Sequence, residues 1–463
     1  ILQNKNYGLI IIDESHKFRN SNTIMYQSLD ELIQNIGANT GVFPYIGLLS
    51  ATPQNNRPND LKNQIYLFER NHNESTLKKA EGGNIEKFFA DVSREYEFLI
   101  DRKNIIPDKE RRQRLDEVSK KLRDCILTDI LERRTRTDIV NYADDIKKQG
   151  IIFPKIVGPI DLQYVMDDEL AQLFSDTMRI IAPSDNDKLQ SDYWLRYYRY
   201  RIIEYFVDPT NELKHSGRGN RGVTDVSKQL ATIMQILLVK RLESSFKAFR
   251  QSLKNLLRYT DNMIRMWEND TIFVCPQIDV NKELDFEAKS KKRGKTVTFA
   301  DCVDDVRSKI AKLNELGHND KGQNAEYSRK DFKQEYITLL KQDYQILQDL
   351  FYRWDGNSED PKYDAFKENL EPELFNPQKN TSGKLVIFSE AIDTVESLKR
   401  AVKNKKHKPL VITAANRDEM EHTIEENFDA NYPVDKQKND YDVIITTEVL
   451  AEGVNLHRAN VIL

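Results

Sequence analysis

Two carboxylates follow a short apolar run near the start of the chain. The residues Asp13, Glu14, Ser15 and His16 come directly after Leu9–Ile12. In a nucleotide-hydrolysing site, Asp13 would hold Mg²⁺ through water, while Glu14 would position and deprotonate the attacking water. The alternative is a structural role at a helix N-cap, because acidic residues complement the helix dipole at strand-to-helix turns.

A second polar segment, SATPQNN at residues 50–56, follows the next apolar run, where the proline must stop the strand. The hydroxyl groups of Ser50 and Thr52 would come within reach of His16 if the two strands are neighbours. An ordinary turn rich in Ser, Thr and Asn is the alternative interpretation.

The elements that must position these groups form a βαβ pattern. The apolar run Leu9–Ile12 is typical of a parallel strand buried on both faces, residues 23–36 predict a helix, and residues 45–49 predict a second strand. Open α/β sheets place their ligands beyond the carboxyl ends of parallel strands. We therefore expect the polar residues after both strands to cluster at one edge of a sheet. They are Asp13, Glu14, His16, Ser50 and Thr52.

The rest of the chain is first helical and then returns to an α/β rhythm. Helical spacing covers residues 60–138 and most of residues 167–375, with strand-like character near residues 151–154. After residue 383, strands and helices alternate cleanly. The predicted strands are residues 385–388, 410–413, 443–446 and 460–463, and the predicted helices are residues 391–402 and 417–428.

Together, DESH at residues 13–16 and LLSATPQNN at residues 48–56 closely resemble motifs II and III of the Swi/Snf-type helicase-like ATPases of superfamily 2. The proline and the asparagine pair are distinctive of that family. The resemblance implies that the intact parent hydrolyses ATP with Mg²⁺ and moves along double-stranded DNA. The site residues that it implies are Asp13, Glu14 and His16 for catalysis, with Asp13 on the metal, and Ser50 and Thr52 for coupling.

The resemblance continues at residues 441–463, which are similar to motif V. It implies that Thr446 and Thr447 approach a phosphate of the nucleic-acid backbone, and that Gly453 and Asn455 lie near the ATP. Glycine also permits close approach of a ligand because it has no Cβ. A plain turn between a strand and a helix is the alternative.

Three further segments are similar to this family. They are residues 385–395, which resemble motif IV, the double-arginine segment at residues 133–138 with the short strand at 153–155, and KRLESS at residues 240–245. The last looks like a helix of bacterial members, some of which carry a phospholipase D-like nuclease domain, so a fused or associated nuclease is an expected partner. For the helix itself we favour packing between domains over catalysis.

The resulting fold class is α/β, with two partial RecA-like parallel-sheet domains separated by a large helical block. We expect the first domain, with a helical insertion, at residues 1–142, the connection and helical region at residues 143–380, and a truncated second domain at residues 381–463.

The chain departs from the family at two points. Ala414 to Arg417 supplies an early arginine and no glycine, and no GxxxxGK[ST] phosphate-binding loop occurs in the 463 residues. We expect that loop upstream of Ile1 and the arginine-bearing motif VI downstream of Leu463. The chain is then a fragment that would not hydrolyse ATP alone.

Two basic stretches are interpreted as structural segments and not as nucleic-acid-binding sites. Residues 289–295 are expected to form a solvated loop and not a phosphate-binding site. Residues 193–205 interleave arginines with aromatic residues, but Trp194, Ile202 and Tyr205 would share one face of a helix, which favours packing over base stacking.

Composition limits the class of protein. Because 70 Lys and Arg residues face 74 Asp and Glu residues, the net charge of -4 excludes a histone-like binder, and nucleic-acid contacts must be local. Three widely spaced cysteines, without an apolar run of roughly 20 residues, indicate a reduced cytoplasmic protein without membrane contact. The resemblance of residues 240–245 to bacterial members of the family implies a bacterial protein. Two alternatives remain: an RNA helicase of the same superfamily, which TPQNN disfavours, and an inactive fragment that binds nucleic acid or a partner.

Overall fold

The computed structural model describes residues 5–51, 57–101, 104–133, 135, 148, 155–183, 193–215, 223–294, 296–317, 319, 322–357, 359–451 and 453–463. The chain divides into two compact units, residues 1–156 and 157–463. No helix in the described part of the chain has both the length and the apolar character to cross a membrane.

The first unit begins with two parallel strands joined by a long helix. Strand β1 (Leu9–Ile12) pairs in parallel with strand β2 (Tyr45–Leu48). Helix α1 (Ile24–Thr40) begins after Thr23, whose hydroxyl accepts the amide of the third residue of the helix, and ends at Gly41 with a φ of 73°. The predicted βαβ arrangement is confirmed, with α1 about one turn longer than expected.

The two faces of this short sheet differ in burial. Ile12 is 7% exposed and packs with Ile33 of α1 and with Leu67, whereas Leu9 and Ile11 are 56% and 63% exposed. Alternate side chains of a strand point to opposite faces, and α1 covers one of them. Within the described residues, the expectation that β1 is buried on both faces is therefore wrong.

The rest of the first unit is mainly helical, as predicted for residues 60–138 as far as they are described. Its core includes Phe88, Phe89 and Leu122. Most of the double-arginine segment and residues 151–154 lie outside the described residues. The elements are α2 (Pro58–Ile65), a 3-10 turn (Glu81–Gly83), α3 (Ile85–Ile100), α4 (Asp108–Leu122), a π-helical turn (Arg123–Leu127) and α5 (Thr128–Ile130).

The second unit opens with the large helical region that the sequence predicts. Its helices are α6 (Asp168–Ile181), α7 (Pro209–Lys214), α8 (Val223–Ser244), α9 (Phe246–Glu268), α10 (Val280–Glu283), α11 (Phe286–Arg293), α12 (Phe299–Glu315), α13 (Glu335–Asp355) and α14 (Pro361–Asn369). Helices α9 and α13 pack along each other around Phe249, Leu350 and Trp354. An antiparallel pair, β3 (Ile272–Val274) with β4 (Ala325–Tyr327), was not predicted.

The basic stretch at residues 289–295 is not a loop where it is described. Residues 289–293 lie on α11, and the Lys289 ammonium is 3.0 Å from a Glu283 oxygen and 2.7 Å from an Asp305 oxygen. Lys295 lies outside the described residues. The prediction of a loop is wrong, and the ion pairs of Lys289 with Glu283 and Asp305 help to hold the helix against its neighbours.

The predicted helix at residues 193–205 is also wrong. The segment forms two 3-10 turns, Tyr198–Tyr200 and Ile202–Tyr205. The buried carboxylate of Asp343 accepts the backbone amides of Arg196 at 2.9 Å and Tyr198 at 2.7 Å. These bonds cross more than 140 positions of sequence, so local periodicity carries no sign of them.

The KRLESS segment spans the junction of α8 and α9. Ser245 is the N-cap of α9, since its hydroxyl accepts the Ala248 amide at 3.1 Å. Leu242 and Phe249 on either side are buried. The segment is therefore two helices that meet at a capped corner, and its apolar face packs into the helical core.

The second unit ends in a parallel four-stranded sheet of order β6-β7-β5-β8. Its elements are β5 (Leu385–Phe388), α15 (Ile392–Asn404), β6 (Pro409–Ile412), α16 (Arg417–Phe428), β7 (Val443–Thr446) and β8 (Val461–Ile462). Ile387 packs with Val395 of α15 on one face, and Val386 packs with Phe428 of α16 on the other. The predicted second parallel sheet is confirmed, with every element within two residues of its expected bounds, and its strands β5 and β7 are buried on both faces.

Candidate functional site

The carboxyl ends of β1 and β2 are tied together by backbone hydrogen bonds. The Leu49 amide donates to the Ile12 carbonyl at 2.8 Å, and the Ser15 amide donates to the Leu49 carbonyl at 2.9 Å. The parallel ladder therefore continues beyond both strands. It holds the loop that carries Asp13 and Glu14 against the segment that carries Ser50.

Glu14 adopts a left-handed backbone conformation, with φ of 50° and ψ of 47°. For a residue other than glycine, this conformation costs on the order of 1 kcal/mol or more and is held by its surroundings. Asp13 Oδ1 accepts the Glu14 amide at 2.8 Å, and the Lys17 amide donates to the Glu14 carbonyl at 3.0 Å. The turn places Glu14 Oε2 at 3.2 Å from Nδ1 of His16.

His16 links the two strand ends. Its side chain is almost fully buried, and Nδ1 lies 3.2 Å from Glu14 Oε2 and 3.4 Å from Ser50 Oγ. One ring nitrogen thus faces a carboxylate from the β1 loop and a hydroxyl from the β2 loop. The structure brings these three predicted residues together, whereas Thr52 lies outside the described residues.

Gln64 of α2, which binds Ser15 between Glu14 and His16, was not predicted from the sequence. Ser15 Oγ donates to Gln64 Oε1 at 3.1 Å, and both side chains are buried. Gln64 Nε2 donates to the Asp60 carbonyl at 3.1 Å, which fixes the orientation of the amide. The available signal was a glutamine placed beside Leu61 and Ile65 on the apolar face of a helix.

The site fits a Mg²⁺ ion that keeps several water molecules among its ligands. Asp13 is exposed and uses Oδ1 on the Glu14 amide. No cluster of three or more His, Cys, Asp or Glu side chains suited to a metal occurs among the described residues. Because Mg²⁺ retains several waters and often uses one or two carboxylates together with substrate phosphates, a single exposed aspartate matches its needs.

At the end of β7, two adjacent threonines differ in exposure. Thr446 is fully buried, its hydroxyl donates to the Thr447 carbonyl at 3.0 Å, and its carbonyl accepts the Ser389 amide at 2.9 Å. Thr447 is half-buried and precedes a 3-10 turn at Glu448–Leu450. A direct phosphate contact therefore suits Thr447, while the enclosed hydroxyl of Thr446 supports the turn.

Gly453 has a backbone that favours glycine, with a φ of 71°. A Cβ at this position would lie 3.4 Å from Nη2 of Arg417, the first residue of α16. Asn455 is exposed on the same loop. The loop after β7 thus lies beside Arg417, the arginine that follows β6 sooner than in the Swi/Snf-type pattern. The sequence alone did not predict this contact.

The comparison with protein families gives one match for this part of the chain. Residues 362–463, from α14 to β8, match the helicase conserved C-terminal domain. Among solved structures, the chain is similar to the Hef helicase domain of Pyrococcus furiosus at 14% sequence identity and a TM-score of 0.30. That alignment covers 97% of this chain and 63% of the other, and a score of this size does not establish a common fold. No curated protein sequence matches the chain.

The family match is confined to the second unit and covers its parallel sheet in full. Residues 362–463 are therefore similar to the conserved C-terminal domain of helicases, which suggests a helicase-like nucleic-acid motor.

Proposed function

We propose that the chain is part of an ATP-dependent translocase that moves along double-stranded DNA. The observation that carries the proposal is the linkage of Glu14 and Ser50 through one nitrogen of His16. Such a linkage joins the residue that would act on water to a second strand end. A nucleotide-hydrolysing motor needs this kind of connection, because the state of the nucleotide must be communicated to the parts that move.

Glu14 is the proposed general base. Its strained turn, held by Asp13 and Lys17, presents the carboxylate at the strand end. A side chain held in a fixed position needs little reorganisation when it accepts a proton. When Mg²⁺ is bound, it would neutralise charge on the phosphates of ATP, and Asp13 is the residue that would hold it.

Ser50 and Thr52 are the proposed coupling residues, and His16 is proposed as the catalytic residue that joins Ser50 to Glu14. The imidazole is enclosed, so a shift of Glu14 is transmitted to Ser50 and not lost to solvent. The Ser15–Gln64 hydrogen bond anchors the same loop to α2. A movement of the Glu14 carboxylate would therefore be passed through His16 to Ser50, at the end of β2.

In the second unit, we propose that Thr447 contacts a backbone phosphate and that Gly453 and Asn455 lie near ATP. Thr447 is half-buried, and its position at the end of β7 offers a hydroxyl to a ligand. Hydroxyl side chains are common partners of nucleic-acid phosphates. Because Gly453 has no Cβ, its backbone is accessible where a Cβ would lie 3.4 Å from Nη2 of Arg417.

The choice of double-stranded DNA over RNA rests on the resemblance of SATPQNN at residues 50–56 to Swi/Snf-type ATPases. An RNA helicase of superfamily 2 remains the second candidate, since the DESH motif is shared between these classes. Phosphate contacts carry no direct sequence information, so duplexes of unrelated sequence should act alike.

The test is the ATPase activity of a polypeptide in which these 463 residues are joined to a phosphate-binding loop, measured with duplex DNA and with RNA of equal length. Stimulation by duplex DNA, independent of its sequence, is expected. Stimulation by RNA alone, with duplex DNA inert at low and moderate salt, would replace the proposal with the RNA-helicase alternative. The 463-residue chain alone should hydrolyse ATP negligibly, because positioning of the phosphates supplies most of the catalysis of phosphoryl transfer.

A further inference from the structure

A cavity of about 660 Å³ lies within the second unit, between the α8–α9 junction, α14 and the carboxyl end of β5. We call it the junction cavity. Its volume is in the range of small-ligand sites, roughly 300–1,000 Å³. The residues proposed for catalysis and coupling do not line this cavity. The cavity therefore calls for its own explanation.

Cationic side chains line the junction cavity from four helices. They are Lys240, Lys247, Arg250, Lys362 and Arg400. Three of them bind neutral acceptors: Lys247 donates to Ser397 Oγ at 3.3 Å, Arg250 to the Asn357 carbonyl at 2.5 Å, and Lys362 to the Glu243 carbonyl at 2.9 Å. These contacts position the cations without neutralising their charge.

Two of the acidic lining residues already have partners. Glu390 pairs with Lys240 at 2.9 Å. Asp360 caps α14 by accepting the Tyr363 amide at 3.2 Å, and burial raises its pKa. Asp161 and Glu243 are exposed, as are Lys247, Lys362 and Arg400, so water and salt screen charges of both signs. With Lys240 and Glu390 paired, four cations on α9, α14 and α15 face three carboxyl groups, which leaves the wall of the cavity with a small positive excess.

Hydroxyl groups complete the polar wall. Ser244 Oγ and Ser245 Oγ lie 3.2 Å and 3.0 Å from Oγ1 of Thr394, which stands in the first turn of α15. The N-cap of α15, Ala391, has no side-chain acceptor for the first amides of the helix. Lysine, arginine, serine and threonine side chains together with helix N-termini are the groups that proteins use to bind phosphate.

We propose that the junction cavity binds a phosphate group, and that the backbone of a nucleic-acid strand supplies it. The phosphate chemistry comes from the cavity itself, whereas the nucleic-acid source rests on the proposed function. The contact lies on the helical region as well as on the sheet. It would thus let α8 and α9, which lie outside the segment that matches helicases, take part in holding the strand.

The test compares two paired variants of the full chain. Lys247→Ala with Arg400→Ala removes two positive charges from the cavity. Lys254→Ala with Lys403→Ala removes two from the same helices, at exposed positions that do not line it. Binding of a fluorescein-labelled DNA duplex is followed by anisotropy across a salt series, and binding of inorganic pyrophosphate is followed by calorimetry. Circular dichroism and thermal melting confirm that both variants fold.

The cavity pair should weaken duplex binding on the order of tenfold and reduce the slope of log affinity against log salt by about 2, while the control pair changes neither markedly. Equal losses in both pairs would overturn the proposal in favour of general surface charge. Pyrophosphate binding that only the cavity pair loses, with duplex binding unchanged or absent, would support the phosphate site and overturn its nucleic-acid source. Unchanged binding of both ligands in the cavity pair would overturn the site itself.

Discussion

Glu14 and Ser50 approach the same nitrogen of one buried imidazole, at 3.2 Å and 3.4 Å from Nδ1 of His16. They come from the ends of two neighbouring parallel strands, 36 positions apart in sequence. A neutral imidazole nitrogen either donates or accepts, so it cannot serve the carboxylate and the hydroxyl equally at once. A change in the protonation or the hydrogen bonding of Glu14 therefore changes the hydrogen bond that His16 Nδ1 can form with Ser50 Oγ.

Glu14→Gln should remove ATP hydrolysis by a polypeptide in which the chain is joined to a phosphate-binding loop, while ATP binding persists. The substitution nearly preserves shape but deletes the basic carboxylate, so we expect kcat to fall roughly 10²- to 10⁴-fold. Turnover is measured by phosphate release, and binding by a fluorescent ATP analogue. Glu31→Gln, at an exposed position of α1, is the control and should retain activity. Full activity of Glu14→Gln would remove Glu14 from catalysis.

Ser50→Ala should lower stimulation by DNA more than basal hydrolysis, because the variant keeps Glu14 and loses the hydroxyl partner of His16. The measurement is the ratio of the ATPase rates with and without saturating duplex. Ser28→Ala, an exposed hydroxyl on α1, should leave the ratio unchanged. A basal rate that falls in parallel with the stimulated rate would instead place Ser50 among the residues that position the carboxylate.

Thr447→Ala and Thr446→Ala should separate binding from stability. Thr447 is half-buried, so its loss should weaken duplex binding and lower the salt slope by up to about 1, with little effect on unfolding. Thr446 is fully buried and bonded to the next carbonyl, so its loss should cost about 1 kcal/mol or more in urea unfolding. If Thr446→Ala weakens duplex binding without lowering the free energy of unfolding, Thr446 and not Thr447 contacts the phosphate.

Local sequence patterns predicted the second sheet well, because β5 and β7 are continuous apolar runs and Arg417–Phe428 has helical spacing with acidic first-turn residues. They failed where distant residues decide. Asp343 organises the 3-10 turns near Tyr198 across more than 140 positions, and alternation alone did not show that Leu9 is exposed.

The candidate site divides in the same way. Asp13, Glu14 and Ser50 were found because the ends of parallel strands meet at one edge. Gln64 was missed because its partner, Ser15, lies 49 positions away and only the folded chain joins them. The junction cavity needed three-dimensional packing for the same reason, since Lys240 meets Glu390 across 150 positions.

His215 should make the stability of the second unit depend on pH. Burial lowers its pKa from 6.5 to about 4, while its Nε2 lies 3.2 Å from the Tyr327 hydroxyl. Between these values the unfolded chain binds more protons than the folded one, so stability is present above pH 6.5 and is lost as pH falls to about 4. The loss in the free energy of unfolding is roughly 3 kcal/mol.

Urea unfolding at pH 7.5 and 4.5 tests this prediction. The free energy of unfolding should differ less between the two pH values for His215→Phe than for the unsubstituted chain. His422→Gln, at an exposed site, should keep the difference of the unsubstituted chain. Equal pH dependence in His215→Phe would mean that other groups cause the acid sensitivity.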